Sequence, residues 1–273
     1  MKIEKVWALC FSPTGTTDKV VTTLAEELAS KLTVPMERIG FTRPAERTVE
    51  HSFGAGDLVV VGSPTYAGKL PNKILPDFQS KLHGNGALAV AVVTFGNRSY
   101  DNSLAELCAV LESNGFHTAA AGAFVCRHAF TDELAYGRSG WSDLFEVKSF
   151  AKSIADKANN LTNVPASVAV PGQADAPYYV PKGTDGEPAK FLKAKPKTKT
   201  ARCNGCGACV RNCPMGAIDP ADPANVPGTC IKCQACVRKC TKQAKYFDDP
   251  AFLSHVAMLE RNFADSKDNE VYL

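Results

Sequence analysis

The chain has 273 residues, a formal net charge of +3 and eleven cysteines. That length allows one or two domains with a sizeable core, and so weak a charge does not point to nucleic acid. No run of roughly 18 apolar residues occurs, so no membrane span is expected.

Residues 3–10, IEKVWALC, suit a strand. They run into the hydroxyl-rich turn Ser12-Pro-Thr-Gly-Thr-Thr17, and then into DKVVTTLAEELASKL, which repeats Val20, Leu24, Leu28 and Leu32 at helical spacing. A helix start carries free backbone N–H groups and the positive end of a dipole. Ser12, Thr14, Thr16 and Thr17 add hydroxyls, and Gly15 permits close approach. The turn holds no Lys or Arg, which suits a phosphate monoester held by neutral donors. It lacks the Gly-Lys-Ser/Thr of a P-loop and the three glycines of a dinucleotide fingerprint. A helix cap with spare threonines is the other reading.

Residues 35–41 suit a second strand. Residues 57–64, DLVVVGSP, and 87–96, ALAVAVVTFG, are unbroken apolar runs, as strands buried on both faces would be. The first ends in the loop Pro64-Thr65-Tyr66-Ala67-Gly68, before a helix. The second ends in Thr94-Phe95-Gly96-Asn97-Arg98-Ser99-Tyr100, before the helix DNSLAELCAVLESNG. A fifth strand is expected at 115–126 and a helix at 142–161. Alternating strands and helices imply a parallel sheet with helices on both faces. Ligands of such sheets bind at the carboxyl ends of the strands, where the strand order reverses. Residues 127–141 read as a connecting loop, with a lid as the alternative. Cys10, Cys108 and Cys126 read as buried inert thiols.

From 163 to 199 six prolines and a lysine cluster interrupt any regular element, which reads as a semi-rigid linker. Residues 169–180 within it are candidates to pack on the first domain. The lysines suit a solvated segment or one that steers an acidic partner. Cys203, Cys206, Cys209 and Cys213 then fall in a C-x2-C-x2-C-x3-C run, and Cys230, Cys233, Cys236 and Cys240 repeat it. This is the bacterial run for [4Fe–4S] clusters. A disulfide framework needs an oxidising compartment, and zinc sites use separated C-x2-C pairs. The apolar run at the start is short for a signal peptide, so a cytoplasmic protein, of an anaerobe, is expected. Residues 248–264 read as a closing helix and the last nine residues as frayed.

The three loops together resemble those of flavodoxins over roughly residues 1–160. The resemblance implies a five-stranded doubly wound parallel sheet of order 2-1-3-4-5 and bound FMN. It implies phosphate contacts from Ser12, Thr14, Gly15, Thr16 and Thr17. It places Pro64, Thr65, Tyr66, Ala67 and Gly68 on one side of the flavin ring, and Thr94, Phe95, Gly96, Asn97 and Tyr100 on the other. Tyr66 and Tyr100 are candidates to stack on the ring, with a core aromatic as the alternative for each. Residues 200–248 resemble two-cluster bacterial ferredoxins, a small α+β domain. That resemblance assigns Cys203, Cys206, Cys209 and Cys240 to one cluster, and Cys230, Cys233, Cys236 and Cys213 to the other. Thr241 stands where such domains have proline.

The chain as a whole is similar to fused flavodoxin–ferredoxin proteins of anaerobic bacteria: residues 1–162, a linker 163–199, residues 200–248, and a C-terminal helix and tail 249–273. The pairing implies an electron-transfer iron–sulfur flavoprotein with two [4Fe–4S] clusters and FMN. Its partner would be a flavoprotein or a ferredoxin-dependent enzyme. An FMN-dependent reductase of a small-molecule acceptor and a non-turnover redox sensor are the alternatives. No residue set points to acid–base or nucleophilic catalysis.

Overall fold

A computed structural model describes residues 2–273. Its centre is a six-stranded sheet. Five strands are parallel: β1 (Lys5–Cys10), β2 (Met36–Gly40), β3 (Asp57–Pro64), β4 (Leu88–Phe95) and β5 (His117–Val125), lying side by side in the order 2-1-3-4-5. All eight residues of β4 are buried, as are the middle six of β3. That burial explains why these strands read as continuous apolar runs rather than alternating ones.

The helices divide between the two faces. On one side, α1 (Thr16–Leu32) and α4 (Trp141–Asn159) bury Val20, Leu24, Leu28, Phe150 and Ile154 against Val6, Val60 and Val92. On the other, α2 (Leu75–Lys81) and α3 (Ser103–Ser113) bury Phe78, Leu104, Leu107 and Leu111 against Leu9, Val61 and Val93. Burial also pushes the Cys108 and Cys126 thiols up to about 12, so these sulfurs stay protonated in the core.

The sixth strand corrects the expectation of a frayed tail. Glu270–Tyr272 pairs antiparallel with β5, closing an edge that would otherwise expose unpaired backbone groups. The tail is fixed by side chains as well. Asn97 donates to the carbonyls of Phe263 and Asp265 at 2.6 and 2.9 Å, and the Asn269 carbonyl oxygen accepts from the Val125 N–H at 2.8 Å.

The proline-rich stretch is a strap more than a spacer. The Val168 N–H bonds to the Thr118 carbonyl and the Tyr179 N–H to the Ala67 carbonyl, each at 2.8 Å. The Tyr178 hydroxyl donates to the Leu70 carbonyl at 2.8 Å. Lys69 is the anchor. Its buried ammonium meets the Glu106 carboxylate at 2.9 Å and the carbonyls of Ala174 and Ala176 at 2.6 and 2.9 Å, using all three donors. Prolines leave their neighbours' carbonyls without strand partners, and here lysines take them up. Lys195 likewise donates to the carbonyls of Val226 and Pro227.

The cysteine module begins inside the expected linker. Lys197–Thr198 pairs antiparallel with Lys245–Tyr246, joining the two ends of the module. Between them lie two one-turn helices of identical sequence ACVR, α5 (Ala208–Arg211) and α6 (Ala235–Arg238). Each follows a residue in the left-handed region, Gly207 at φ 69° and Gln234 at φ 64°. Glycine adopts that region freely and glutamine at a cost. Gln234 is held there by burial and by its amide bonding the Lys232 carbonyl at 3.2 Å. Helix α7 (Pro250–Asn262) closes the chain, capped by the Asp249 carboxylate accepting from the Phe252 N–H at 2.9 Å. It packs Met258 and Leu259 on Leu134 and Phe252 on Phe191, so it docks on both the loop after β5 and the strap. Among the described residues no helix is long and apolar enough to cross a membrane.

Candidate redox site

The first loop folds as an anion cradle. Gly15, at φ 96°, turns the chain into α1, and a Cβ there would meet no atom within 4 Å. The backbone N–H groups of Thr14, Gly15, Thr16 and Thr17 have no partner among the described residues. They sit at the positive end of a 17-residue helix. Not every hydroxyl is free for a ligand. Ser12 accepts from the Asp18 N–H at 2.9 Å, and buried Thr17 bonds buried Thr94 at 2.7 Å, tying the first loop to the end of β4. Thr14 and Thr16 contact only each other, at 3.4 Å, and line a cavity.

That cavity, of about 510 Å³, lies between the parallel-sheet domain and the cysteine module. Arg127, His128 and Asp132, from the loop after β5, form one further wall. Arg238, Cys240 and Lys245, from the module, form another. The His128 ring packs over Gly96, where a Cβ would fall 2.3 Å from it, so the glycine of this loop is required by its neighbour. Burial pushes His128 down to about 4, with His255, Arg238 and Arg98 adding repulsion. Its Nδ1 accepts from the Phe130 N–H at 3.1 Å, which leaves the neutral ring's proton on Nε2.

The two loops expected to flank the ring meet the rest of the chain differently. The Thr65 N–H bonds the Thr94 carbonyl at 2.8 Å and the Thr65 hydroxyl bonds Ser103 at 2.6 Å, so the two loops share a base. Asn97 and Tyr100, expected beside the ring, have their polar atoms committed to the tail. Asn97 bonds its backbone, and the Tyr100 hydroxyl bonds Glu270 at 2.6 Å and Tyr272 at 2.9 Å. The Tyr100 ring packs on Phe95 at 5.4 Å, the core-aromatic reading. Tyr66 is different. It is half-buried, and desolvation, with Cys233 and Cys230 adding to it, pushes its pKa up. Tyr66, in one expected ring loop, is thus within electrostatic reach of the module.

All eleven cysteines are free thiols. Cys213, Cys230, Cys233 and Cys236, the second expected set, line one small apolar cavity with Met215, Ile218 and Phe247 in its walls. Burial pushes the Cys236 thiol up to about 12, and the neighbouring Cys230 adds to it. Such sulfurs become thiolates when metal binding compensates their charge. Among the described residues no three His, Cys, Asp or Glu side chains gather around a single-ion position, a geometry that a wider multi-iron cluster does not need. Backbone N–H donors already face three sulfurs: Ala217 to Cys213 at 3.3 Å, Lys232 to Cys230 at 3.4 Å and Ala244 to Cys240 at 3.2 Å. The first and last occupy the same place in the two repeats. In the first expected set, Cys203 and Cys206 are exposed, burial raises the Cys209 thiol with Lys245 opposing it, and Cys240 lines the large cavity.

Arg238 joins the module to the sheet domain. It donates to the carbonyls of Ala129, His128 and Thr131, each at 3.0 Å, and pairs with Asp132. Buried Arg47 makes the second tie, to the Pro214 carbonyl at 2.7 Å and to Asp77 at 2.6 Å. The loop 127–141, expected as a plain connection, is thus the platform on which the module docks. Neither arginine carries a signal in the sequence: Arg238 sits in the same ACVR as Arg211, which bonds only its own loop at the Cys206 carbonyl.

Residues 195–218 match the model of a 4Fe-4S binding domain, which spans the first cysteine run. No curated protein matches the chain. Among solved structures, a flavodoxin from the domain Archaea is 17% identical, with 57% of this chain and 99% of that one covered and a TM-score of 0.37. An NADH:FMN oxidoreductase (EMOB) is 13% identical over 60% of this chain and 95% of that one, with a TM-score of 0.43. The flavodiiron protein from Giardia intestinalis is 16% identical over 58% of this chain and 37% of that one, with a TM-score of 0.34. At these scores none of the three structures bears on the reading below.

Proposed function

We propose that this protein is an electron-transfer iron–sulfur flavoprotein that passes electrons between two [4Fe–4S] clusters and FMN as a carrier for a redox partner protein. The reading rests first on two features of one chain: a helix start whose N–H groups from Thr14 to Thr17 stand open, and a cysteine set, Cys213, Cys230, Cys233 and Cys236, that converges on one apolar cavity. Iron–sulfur clusters supply one-electron steps and a flavin links them to one- or two-electron acceptors.

The chain's own residues do the positioning. The open N–H groups of Thr14 to Thr17 suit the FMN phosphate. Thr65 to Gly68 hold the ring's near side against the second cysteine set. The apolar walls around Cys213 and Cys236 keep water from that cluster, while Cys203 and Cys206 open the other to a partner. Lys199, Arg202, Arg211, Lys239 and Lys242 are exposed around that opening, which suits an acidic electron carrier.

Stopped-flow oxidation of the anaerobically reduced protein tests this role. Fast exchange with acidic ferredoxins or flavoproteins, slowed by salt, is expected. Catalytic oxidation by a small-molecule acceptor alone would favour a reductase instead.

A further inference from the structure

The two cysteine runs close in step, with one exchange of charge. In Cys213-Pro-Met-Gly-Ala-Ile218 and in Cys240-Thr-Lys-Gln-Ala-Lys245 the alanine N–H meets the cysteine sulfur, at 3.3 and 3.2 Å. The next residue is buried in each, 4% exposed, but it is Ile218 in one and Lys245 in the other. Ile218 packs in an apolar cluster with Cys236, Cys209 and Cys213. Lys245 brings an ammonium into the same small module. Its one side-chain hydrogen bond goes to the Pro223 carbonyl, and among the described residues no carboxylate pairs with it.

Cysteine sulfurs are what this charge faces. Burial raises the Cys209 thiol, and Lys245 is first among the groups opposing it. At Cys236 burial and Cys230 act first, and Lys245 opposes both. Cys209 belongs to the same expected ligand set as Cys240, whose sulfur meets the N–H of Ala244, next to Lys245. Cys236 belongs to the other set. We infer that Lys245 is a potential-setting residue: its buried positive charge makes the cluster on Cys203, Cys206, Cys209 and Cys240 easier to reduce, and acts less on the cluster beside it. Reduction adds one electron, drawn from the redox partner, and so one negative charge to a thiolate-bound cluster. Net charge and solvent exposure are among the quantities that set such potentials, and a cation held out of water is felt more strongly than a surface one. Lys232 and Lys195 act on Cys230 of the other set, but Lys232 is half-buried and Lys195 exposed, where water screens them. The inference rests on the two-cluster reading above and adds to it a residue that makes the two sites unequal.

Anaerobic redox titration of the full chain, followed by electron paramagnetic resonance, reads the midpoint of each cluster, with iron and sulfide counted in every sample. Lys245→Met removes the charge and keeps the stem. Lys245→Gln removes the charge and keeps a donor for the Pro223 carbonyl. Each is expected to lower one midpoint by about tenfold or more in the electron-transfer equilibrium, about 59 mV for one electron, and the other by clearly less. Lys245→Arg should hold both within about twofold. In a Cys206→Ala background, which takes away the first set's cluster, the smaller of the two shifts should remain, and survival of the larger one would overturn the assignment. Unmoved midpoints at full iron, equal shifts in both clusters, or loss of iron from both neutral variants would also overturn the inference, the last by making Lys245 a residue of the fold alone. Four irons in the unaltered chain would instead overturn the two-cluster reading itself.

Discussion

The two halves of the cysteine module share a spacing, a helix sequence and an N–H to sulfur contact, yet live in different surroundings. In the first half Cys203 and Cys206 are exposed and Arg211 folds back on its own loop. In the second, Cys236 is buried and Arg238 is driven into the loop after β5. Docking, not local sequence, makes them unequal. An identical ACVR becomes an outer rim in one place and a fastener in the other. The outer half is then open to solvent and the inner half docks on the sheet domain.

Breaking that contrast at the metal ligands has the largest expected effect. So small a module has little apolar core of its own, and the proposed clusters would cross-link it. Cys233→Ala should remove the inner cluster and unfold the module, seen as loss of iron and of visible absorption. Cys206→Ala should take the outer cluster and leave part of the inner signal.

Next comes the strap. Lys69→Met leaves buried Glu106 without its partner, which costs about 3–5 kcal/mol for a broken buried pair. A lower midpoint in urea and protease cleavage within 171–180 should accompany it. Glu106→Gln, which spares Lys69's bonds to the strap carbonyls, should leave those residues more protected.

The arginines give a direct contrast of the two halves. Arg238→Ala removes several charged hydrogen bonds, each worth about 1.5–3 kcal/mol, whereas the exposed Arg211→Ala should fall within about 0.5 kcal/mol. Comparable losses would mean that the module does not dock through Arg238.

The smallest effect is acid sensitivity at His128. Its folded pKa, about 4, lies below the ordinary 6.5, so between those values the unfolded chain binds a proton that the folded chain excludes. Stability is complete above 6.5 and is lost as pH falls toward 4. In His128→Gln the slope of stability against pH across this window should flatten.

Much of this was legible in the sequence because it is local. Unbroken apolar runs report strands buried on both faces, and they fall at β3 and β4. The turn Ser12–Thr17 reports a helix start with open donors. The spacing of the first cysteine run reports the 4Fe-4S binding domain that residues 195–218 match. What was hidden depends on partners far along the chain. Glu270–Tyr272 reads as a polar tail until the open edge of β5 takes it. Asn97 and Tyr100 read as ring contacts, and the sequence gives no sign that their polar atoms also bond the tail. The prolines of 163–199 signal a lack of regular structure, but the carbonyls they free are what Lys69 binds.

Iron, sulfide and FMN counted in one anaerobic preparation of the full chain test the central claim most directly. About eight irons, eight sulfides and one FMN per chain are expected from two four-iron clusters beside a single flavin loop. Four irons, or full iron with no FMN retained, would contradict it.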